Sequence, residues 1–480
     1  MWDGRGFACA AVLVVISITA CGGNVAAPTS APPSSPARPN FVVIVADDMA
    51  YGLIGPSRRV PFMRLPNLDG LAARGVQFDN AFVTTSLCSP SRATLLSGLY
   101  AHTHGVIGNE TTDLGPEIDT YPRILQRTGY DTAFIGKWHM DSRNDMPRPG
   151  FDRWVSFRGQ GVYQDPRLNV DGKPVVRSGY ITDLLTEYAV DWLNHRTAKP
   201  FLLILSHKAP HEPFTPAPRH AGAMLDAAFP EPSNFADTFG DKPAWQRRYV
   251  SCGGQADAFT RCPDPLPAAL PPWPWPAHEL WRLDYMRTLL SLDESVGTVV
   301  STLAARGLSG TTYVVFLSDN GIFLGEHRLG DKRLAYEESM RVPLVFGGAD
   351  LAARRVSAMA LNLDLAPTLI DLARVAVPSN MQGRSLAGLL RGAPSLPRDA
   401  FLYEYDTERP FPVVPDIFAV RTPGRKYVAY PGDPAADELY DLVGDPGEMV
   451  NLAGRPEWAA ARADMRARLQ RLLTETGATP

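Results

Sequence analysis

Four short apolar runs recur along the chain, and each stops at charged or imidazole-bearing residues. Phe41-Val42-Val43-Ile44-Val45-Ala46 is continuous and β-prone, as a strand buried on both faces of a sheet requires, and ends at Asp47-Asp48. Thr132-Ala133-Phe134-Ile135 leads to Lys137-Trp138-His139, Phe201-Leu202-Leu203-Ile204-Leu205 leads to the stretch His207 through His211, and Tyr313-Val314-Val315-Phe316-Leu317 leads to Asp319-Asn320. Helical patterns lie between them, notably Ile181 to Asn194 and Leu280 to Ala305. This alternation predicts an α/β fold with a large, doubly wound, mostly parallel sheet flanked by helices. The polar residues then fall at the carboxyl ends of the strands, where such sheets place their sites.

Other stretches break the pattern. Residues 1–20 hold an apolar stretch from Phe7 to Ala20, too short to span a bilayer, and read as an export signal. Residues 21–39, rich in Ala, Pro and Ser, read as a flexible tether. Ile18-Thr19-Ala20-Cys21-Gly22 is similar to a bacterial lipoprotein signal, which implies a cell-envelope protein lipidated at Cys21; ordinary secretion and an uncleaved anchor are the alternatives. Residues 40–386 are expected to form the main domain, which carries the four strand ends. It is interrupted at 230–276 by an irregular insertion containing Pro271-Pro272-Trp273-Pro274-Trp275-Pro276, whose aromatics either pin a long loop to the body or stack on sugar rings. Residues 387–480 are expected to form a smaller C-terminal α+β subdomain, with strand-like Phe401-Leu402-Tyr403 and Lys426-Tyr427-Val428-Ala429 and an Arg-rich helix from Trp458 to Leu473.

Composition narrows the function. The 480 residues are 45% hydrophobic, enough for a large core, and the net charge of −4 without a basic run argues against nucleic acid as a partner. Cys252 and Cys262 are close enough to close a short disulfide loop in an oxidising compartment, or else are two free thiols. Asp47, Asp48, Asp319 and Asn320 offer hard oxygen donors, suited to Ca²⁺ or Mg²⁺ and poorly suited to zinc. Either pair alone could equally be a solvated turn.

The most specific signal is Leu87-Cys88-Ser89-Pro90-Ser91-Arg92, continued as Ala-Thr-Leu-Leu-Ser-Gly-Leu-Tyr. Pro90 and the flanking serines open a helix, so Cys88 is expected near its positive end. This segment resembles the sulfatase signature of the alkaline phosphatase superfamily, and the resemblance runs from Phe41 to Glu438-Leu439-Tyr440-Asp441-Leu442. It implies that a formylglycine-generating enzyme oxidises Cys88 to formylglycine, whose hydrate attacks sulfur and completes a metal site with Asp47, Asp48, Asp319 and Asn320, Ca²⁺ being favoured over Mg²⁺.

Other matches carry further implied roles. Arg92 would fix the hydrate and the metal ligands, and Lys137, in Gly136-Lys137-Trp138-His139, would hold a sulfate oxygen. His139 would take the proton whose loss expels sulfate. His211, in Ala209-Pro210-His211-Glu212-Pro213-Phe214, would assist the departing alcohol, and Lys332 would reach the sulfate or the leaving group. His207 and His220 are expected to stand aside. The implied activity is sulfate-ester hydrolysis on a sulfated carbohydrate or aryl sulfate, with the segments around His211 and Asp319 most similar to the branch that includes N-acetylglucosamine-6-sulfatases. A phosphonate monoester or phosphodiester hydrolase of the same superfamily and a non-catalytic carbohydrate-binding lipoprotein are the alternatives.

Overall fold

In the computed structural model, which describes residues 10–11, 13–15, 38–56, 58–109, 112–251, 275–349, 351–394 and 398–479, the first apolar run becomes strand β1 (Asn40–Ala46) at the middle of a ten-stranded sheet. Its other strands are β2 (Val76–Phe82), β3 (Asp131–Lys137), β4 (Arg153–Phe157), β5 (Arg167–Val170), β6 (Lys173–Val176), β7 (Phe201–Ser206) and β8 (Thr312–Ser318). After a short hairpin of β9 (Phe323–Leu324) and β10 (Gly330–Asp331) come β11 (Leu344–Gly348) and β12 (Arg354–Leu361). The spatial order is β12-β2-β11-β8-β1-β7-β3-β4-β5-β6.

The five strands from β8 to β4 are parallel, while β11 runs against both its neighbours and β5 and β6 close the far edge as an antiparallel hairpin. The expected sheet is therefore present, and the four apolar runs are four of these five central parallel strands, β8, β1, β7 and β3; β12 and β2 form a second parallel pair beyond β11. The antiparallel strand β11 carries no separate signature in its residues.

Alternation along β1 explains why its run is continuously apolar. Val42, Ile44 and Ala46 face one core with Leu185 and Leu289 from the helices Ile181–His195 and Trp275–Ala305. Phe41, Val43 and Val45 face the other with Leu95, Ile124 and Leu369 from the helices Cys88–Ser97, Tyr121–Arg127 and Leu365–Leu372. Each fully buried side chain of this size contributes about 1.5–3 kcal/mol of hydrophobic stabilisation.

Near the C-terminus β13 (Phe401–Tyr405), β14 (Ile417–Arg421), β15 (Arg425–Ala429) and β16 (Glu438–Asp441) form an antiparallel meander. The helix Ala459–Thr476 covers it with Met465, Leu469 and Leu473, one stripe at a spacing of four. Phe82, Leu87 and Tyr100 share this third core, so the small sheet packs under the segment that enters the Cys88 helix.

The insertion differs from expectation. Part of it, Ala244–Ser251, is helical, and its last two residues already belong to the helix Trp275–Ala305, where an early proline is tolerated because the first N–H groups need no intrahelical partner. Phe239 is buried within the insertion, and Phe229, just before it, sits edge-on to Phe62 at 4.9 Å, so described aromatics anchor the segment and its entry. Cys21, Trp273, Cys252 and Cys262, with the readings attached to them, lie outside the described residues. No helix among the described residues is long and apolar enough to cross a membrane.

Candidate active site

Parallel register brings the polar residues together. Ala46 of β1 pairs with Ser318 of β8, so the next residues, Asp47 and Asp319, emerge side by side; Asp319 N–H donates to the Ala46 carbonyl at 3.0 Å, and Asp47 N–H donates to that of Ala209 at 3.1 Å. On the other side Gly136 pairs with Ser206. A Cβ on Gly136, whose φ is +125°, would lie 1.7 Å from the Ser206 oxygen, so only glycine lets β3 deliver Lys137 to this point. Asp48 (φ 67°) and His139 (φ 61°) hold left-handed backbone conformations, a local cost that clusters at functional sites.

Cys88 opens the helix Cys88–Ser97 and is fully buried at its positive end. Arg92, one turn later, lies on the same face. Its Nε donates to Asp319 Oδ2 at 2.9 Å, its Nη2 lies 2.8 Å from the same oxygen and 3.3 Å from Asp47 Oδ1, and its Nη1 donates to the Lys137 carbonyl at 2.7 Å and to Ser206 Oγ at 2.6 Å. One guanidinium thus ties together β1, β3, β7 and β8, which a lysine's single ammonium could not do. Lys137 Nζ bonds Asp47 Oδ2 and donates to Gln160 Oε1 at 2.5 Å. Lys332 Nζ bonds Asp48 Oδ1 and lies 3.2 Å from Cys88 Sγ.

The histidines flank this centre. Ser89, the neighbour of Cys88, donates through Oγ to the His139 carbonyl at 2.5 Å and lies 3.4 Å from its Nδ1. His211 donates from Nδ1 to the Glu212 carbonyl at 2.5 Å and directs Nε2 at Asp48 Oδ2, 3.6 Å away. Burial, with the positive charge of Lys137 adding to it, holds His139 well below the ordinary histidine range and His211 at about 3.

Three carboxylates here share one buried space. Burial raises all three, but Lys137, His211 and Arg92 outweigh it at Asp47 and hold that group well below the usual range, and Lys332 and His211 lower Asp48. Asp319 is pushed up to about 7, by burial first and then by Asp47 and Asp48 against the opposing effect of Arg92. A third negative charge is thus hard to hold without a further cation.

The donor set fits a hard divalent ion. Oxygens of Asp47, Asp48 and Asp319 lie within 4.8 Å of one another, and Asp47 Oδ1 and Asn320 Oδ1 are buried with no hydrogen-bond partner. Asn320 is oriented by Nδ2, which donates to Asp48 Oδ1 at 2.6 Å and to the Gly321 carbonyl at 2.8 Å, leaving Oδ1 as the free acceptor. An all-oxygen set of this kind suits Ca²⁺ or Mg²⁺. Burial pushes the Cys88 thiol up to about 12, so the unmodified side chain stays protonated.

All ten residues singled out from the sequence gather here, and two histidines stand aside: His207 Nε2 lies 3.0 Å from Ser295 Oγ, and His220 lies 2.9 Å from Glu294. Four residues in the same centre were not anticipated. Ser206 ends β7, Gln160 sits in the turn after β4, and Lys208 and Tyr163 flank the His211 loop. Only Lys208 carried any signal, as a member of the polar stretch after β7.

Comparison with known proteins places these features in context. Residues 39–375 match the sulfatase family, and residues 325–475 match the C-terminal family of N-sulphoglucosamine sulphohydrolase. The chain is 34% identical to an N-acetylglucosamine-6-O-sulfatase of Bacteroides thetaiotaomicron, over 92% of this chain and 86% of that protein. It is 28% identical to human N-acetylglucosamine-6-sulfatase, over 93% and 85%. A solved structure in complex with its substrate D-glucosamine-2-N,6-O-disulfate superposes with a TM-score of 0.82 at 32% identity, covering 92% of this chain and 98% of that one. A phosphonate monoester hydrolase of Agrobacterium radiobacter, at 24% identity and a TM-score of 0.68 over 92% and 96%, shares the fold.

Proposed function

This chain belongs to the sulfatase family and is a sulfuric ester hydrolase, and we propose that the ester it cleaves is the 6-sulfate of a glucosamine-type sugar. The observation that carries the choice of substrate is its similarity, over nine-tenths of its length, to N-acetylglucosamine-6-O-sulfatase. The proposal extends to the roles of the residues around Cys88.

Asp47, Asp48, Asp319 and Asn320 would hold the divalent ion, whose charge, when bound, offsets that of the sulfuryl oxygens. Formylglycine in place of Cys88 would supply a hydrated aldehyde, with one hydroxyl to attack sulfur and a second whose proton loss releases sulfate. Arg92 keeps Asp47 and Asp319 in register through its paired contacts. Lys137 and Lys332, each anchored on a carboxylate, present positive charge where the ester's negative oxygens would lie. His211 donates its Nδ1 proton to the Glu212 carbonyl, so Nε2 is the nitrogen turned into the centre; charged as the imidazolium when the negative ester is bound, it would give its Nε2 proton to the departing alcohol. His139, joined to the Cys88 side through Ser89, is placed to accept a proton there.

Export with a lipid anchor on Cys21, and maturation by a formylglycine-generating enzyme, complete the proposal. The segment Ile18-Thr19-Ala20-Cys21-Gly22 supports the first and the Cys88-Ser89-Pro90-Ser91-Arg92 motif the second. Rates on N-acetylglucosamine-6-sulfate, an aryl sulfate and an aryl phosphodiester test the substrate. A preference for the sugar sulfate is expected, whereas a faster phosphodiester reaction would favour the phosphonate monoester hydrolase reading.

A further inference from the structure

Lys208 stands apart from the other buried cations. It is completely buried, yet among the described residues its ammonium is paired with no carboxylate: Nζ donates to the Glu212 carbonyl at 3.2 Å and sits 4.8 Å from the centre of the Tyr163 ring. Burying a lysine without an acid partner is unfavourable. Burial, aided by Lys137, lowers it to about 8.

The groups it touches all bear on one loop. Tyr163 donates its hydroxyl proton to the His211 carbonyl at 2.7 Å, and the Glu212 carbonyl that Lys208 holds also accepts the Nδ1 proton of His211 at 2.5 Å. Tyr163 is itself stacked on Tyr180 at 5.5 Å, and Tyr180 donates to the Thr215 carbonyl at 2.9 Å. The carbonyls of His211, Glu212 and Thr215 are therefore gripped from just beyond β7 and from the residues on either side of the β5–β6 hairpin, and the imidazole's back nitrogen is fixed by a carbonyl, which can only accept. Nε2 is thereby the nitrogen presented to Asp48.

We propose that Lys208 and Tyr163 are positioning residues that clamp the His211–Glu212 loop so that His211 Nε2 faces the ester oxygen. The proposal rests on the sulfatase reading, in which His211 assists the departing alcohol. In that step an oxygen–sulfur bond forms to the nucleophile and the ester S–O bond breaks. His211 enters this step as the imidazolium, the form that the negatively charged ester beside it favours; the bonding pair goes to the alcohol oxygen, which takes the Nε2 proton and leaves a neutral imidazole still donating Nδ1–H to the Glu212 carbonyl, while the nucleophile's hydroxyl proton passes to water. Water supplies the atoms for the net hydrolysis.

The test compares two substrates of different leaving-group ability, N-acetylglucosamine-6-sulfate and 4-nitrophenyl sulfate, in the matured, metal-loaded enzyme. Lys208→Met lowers kcat about tenfold on the sugar sulfate and by less than about twofold on the aryl sulfate, with KM little changed on either. Tyr163→Phe, which removes one hydroxyl and leaves the packing, shifts the same ratio about threefold, and Lys208→Arg restores most of it. In the His211→Ala background, Lys208→Met has no further effect on the ratio. Equal losses on both substrates, or a rise in KM alone, overturn the clamp; the latter would make Lys208 a sulfate-binding residue. If His211→Ala itself shows no dependence on leaving group, the acid role of His211 fails and the clamp with it; if His211→Ala shows it and the clamp variants do not, only the clamp fails.

Discussion

Two buried polar clusters in this molecule have nearly the same ingredients and opposite completeness. Beneath the C-terminal sheet, Asp237 bonds Lys242 and accepts from His327 Nδ1 at 2.7 Å, while Asn234 lies 2.9 Å from His327 Nε2. Tyr336 stacks on His327 at 4.2 Å and donates to Gln246 at 2.7 Å; Gln246 donates to Glu438 at 2.8 Å, and Tyr430 and Tyr440 both bond that same carboxylate. None of these side chains keeps a buried polar atom without a partner. At the strand ends, by contrast, Asp47 Oδ1 and Asn320 Oδ1 accept nothing, although a full set of cations lies around them.

Shifted protonation does not separate the two clusters. Burial takes His327 down to about 4 and Glu438 upward, much as it moves His211 and Asp319. What separates them is that one network is closed on itself and the other leaves acceptors pointing at a common space. A closed network stabilises the fold, and an open one waits for a ligand.

Substitutions should divide along this line. Cys88→Ala, at the open centre, is expected to lower turnover at least about 10⁴-fold while leaving the thermal midpoint within about 2 °C, because its small side chain contributes little packing. Asp47→Asn or Asp319→Asn should lose activity and bound divalent ion together, as measured by metal analysis after dialysis. Both should also abolish the rise in Tm that is expected when Ca²⁺ is added to the wild type, which would correspond to about 2.7 kcal/mol at a hundredfold excess over Kd.

Asp237→Asn, in the closed network, should do the reverse. It removes one charge of a buried pair and should cost about 3 kcal/mol of stability, read by denaturant unfolding, yet keep the full Ca²⁺-dependent rise in Tm from its lower baseline. The smallest effect is expected at His220, whose partner Glu294 is solvent-exposed: His220→Ala should leave turnover within about twofold and stability within about 1 kcal/mol. A large loss of turnover from His220→Ala would mean that the boundary drawn around the site is wrong.

The open centre was largely legible in the sequence because parallel strands put each site residue directly after an apolar run. Asp47, Lys137, His211 and Asp319 each follow such a run, and Cys88 opens a motif with its own turn and helix signals. Gln160 was not legible, since it follows the short strand β4 in a glycine turn and meets Lys137 only through the β3–β4 pairing. The closed network was not legible as a network for the same reason: Asp237, His327 and Glu438 come from three distant segments, and although Glu438 opens a segment that carries the family resemblance, nothing local shows that the three meet. The helix Ala244–Ser251 was hidden by the proline and tryptophan content of the surrounding insertion, which reads as loop.

The central claim is that the open centre is built around Cys88 in altered form, and mass measurement of the tryptic peptide spanning residues 75–92 tests it most directly. Protein produced together with a formylglycine-generating enzyme should yield this peptide about eighteen mass units lighter than its thiol form, the difference between CH₂SH and CHO, with turnover rising in proportion to the converted fraction. Full sulfatase turnover from protein whose peptide carries only the unmodified thiol would contradict the account.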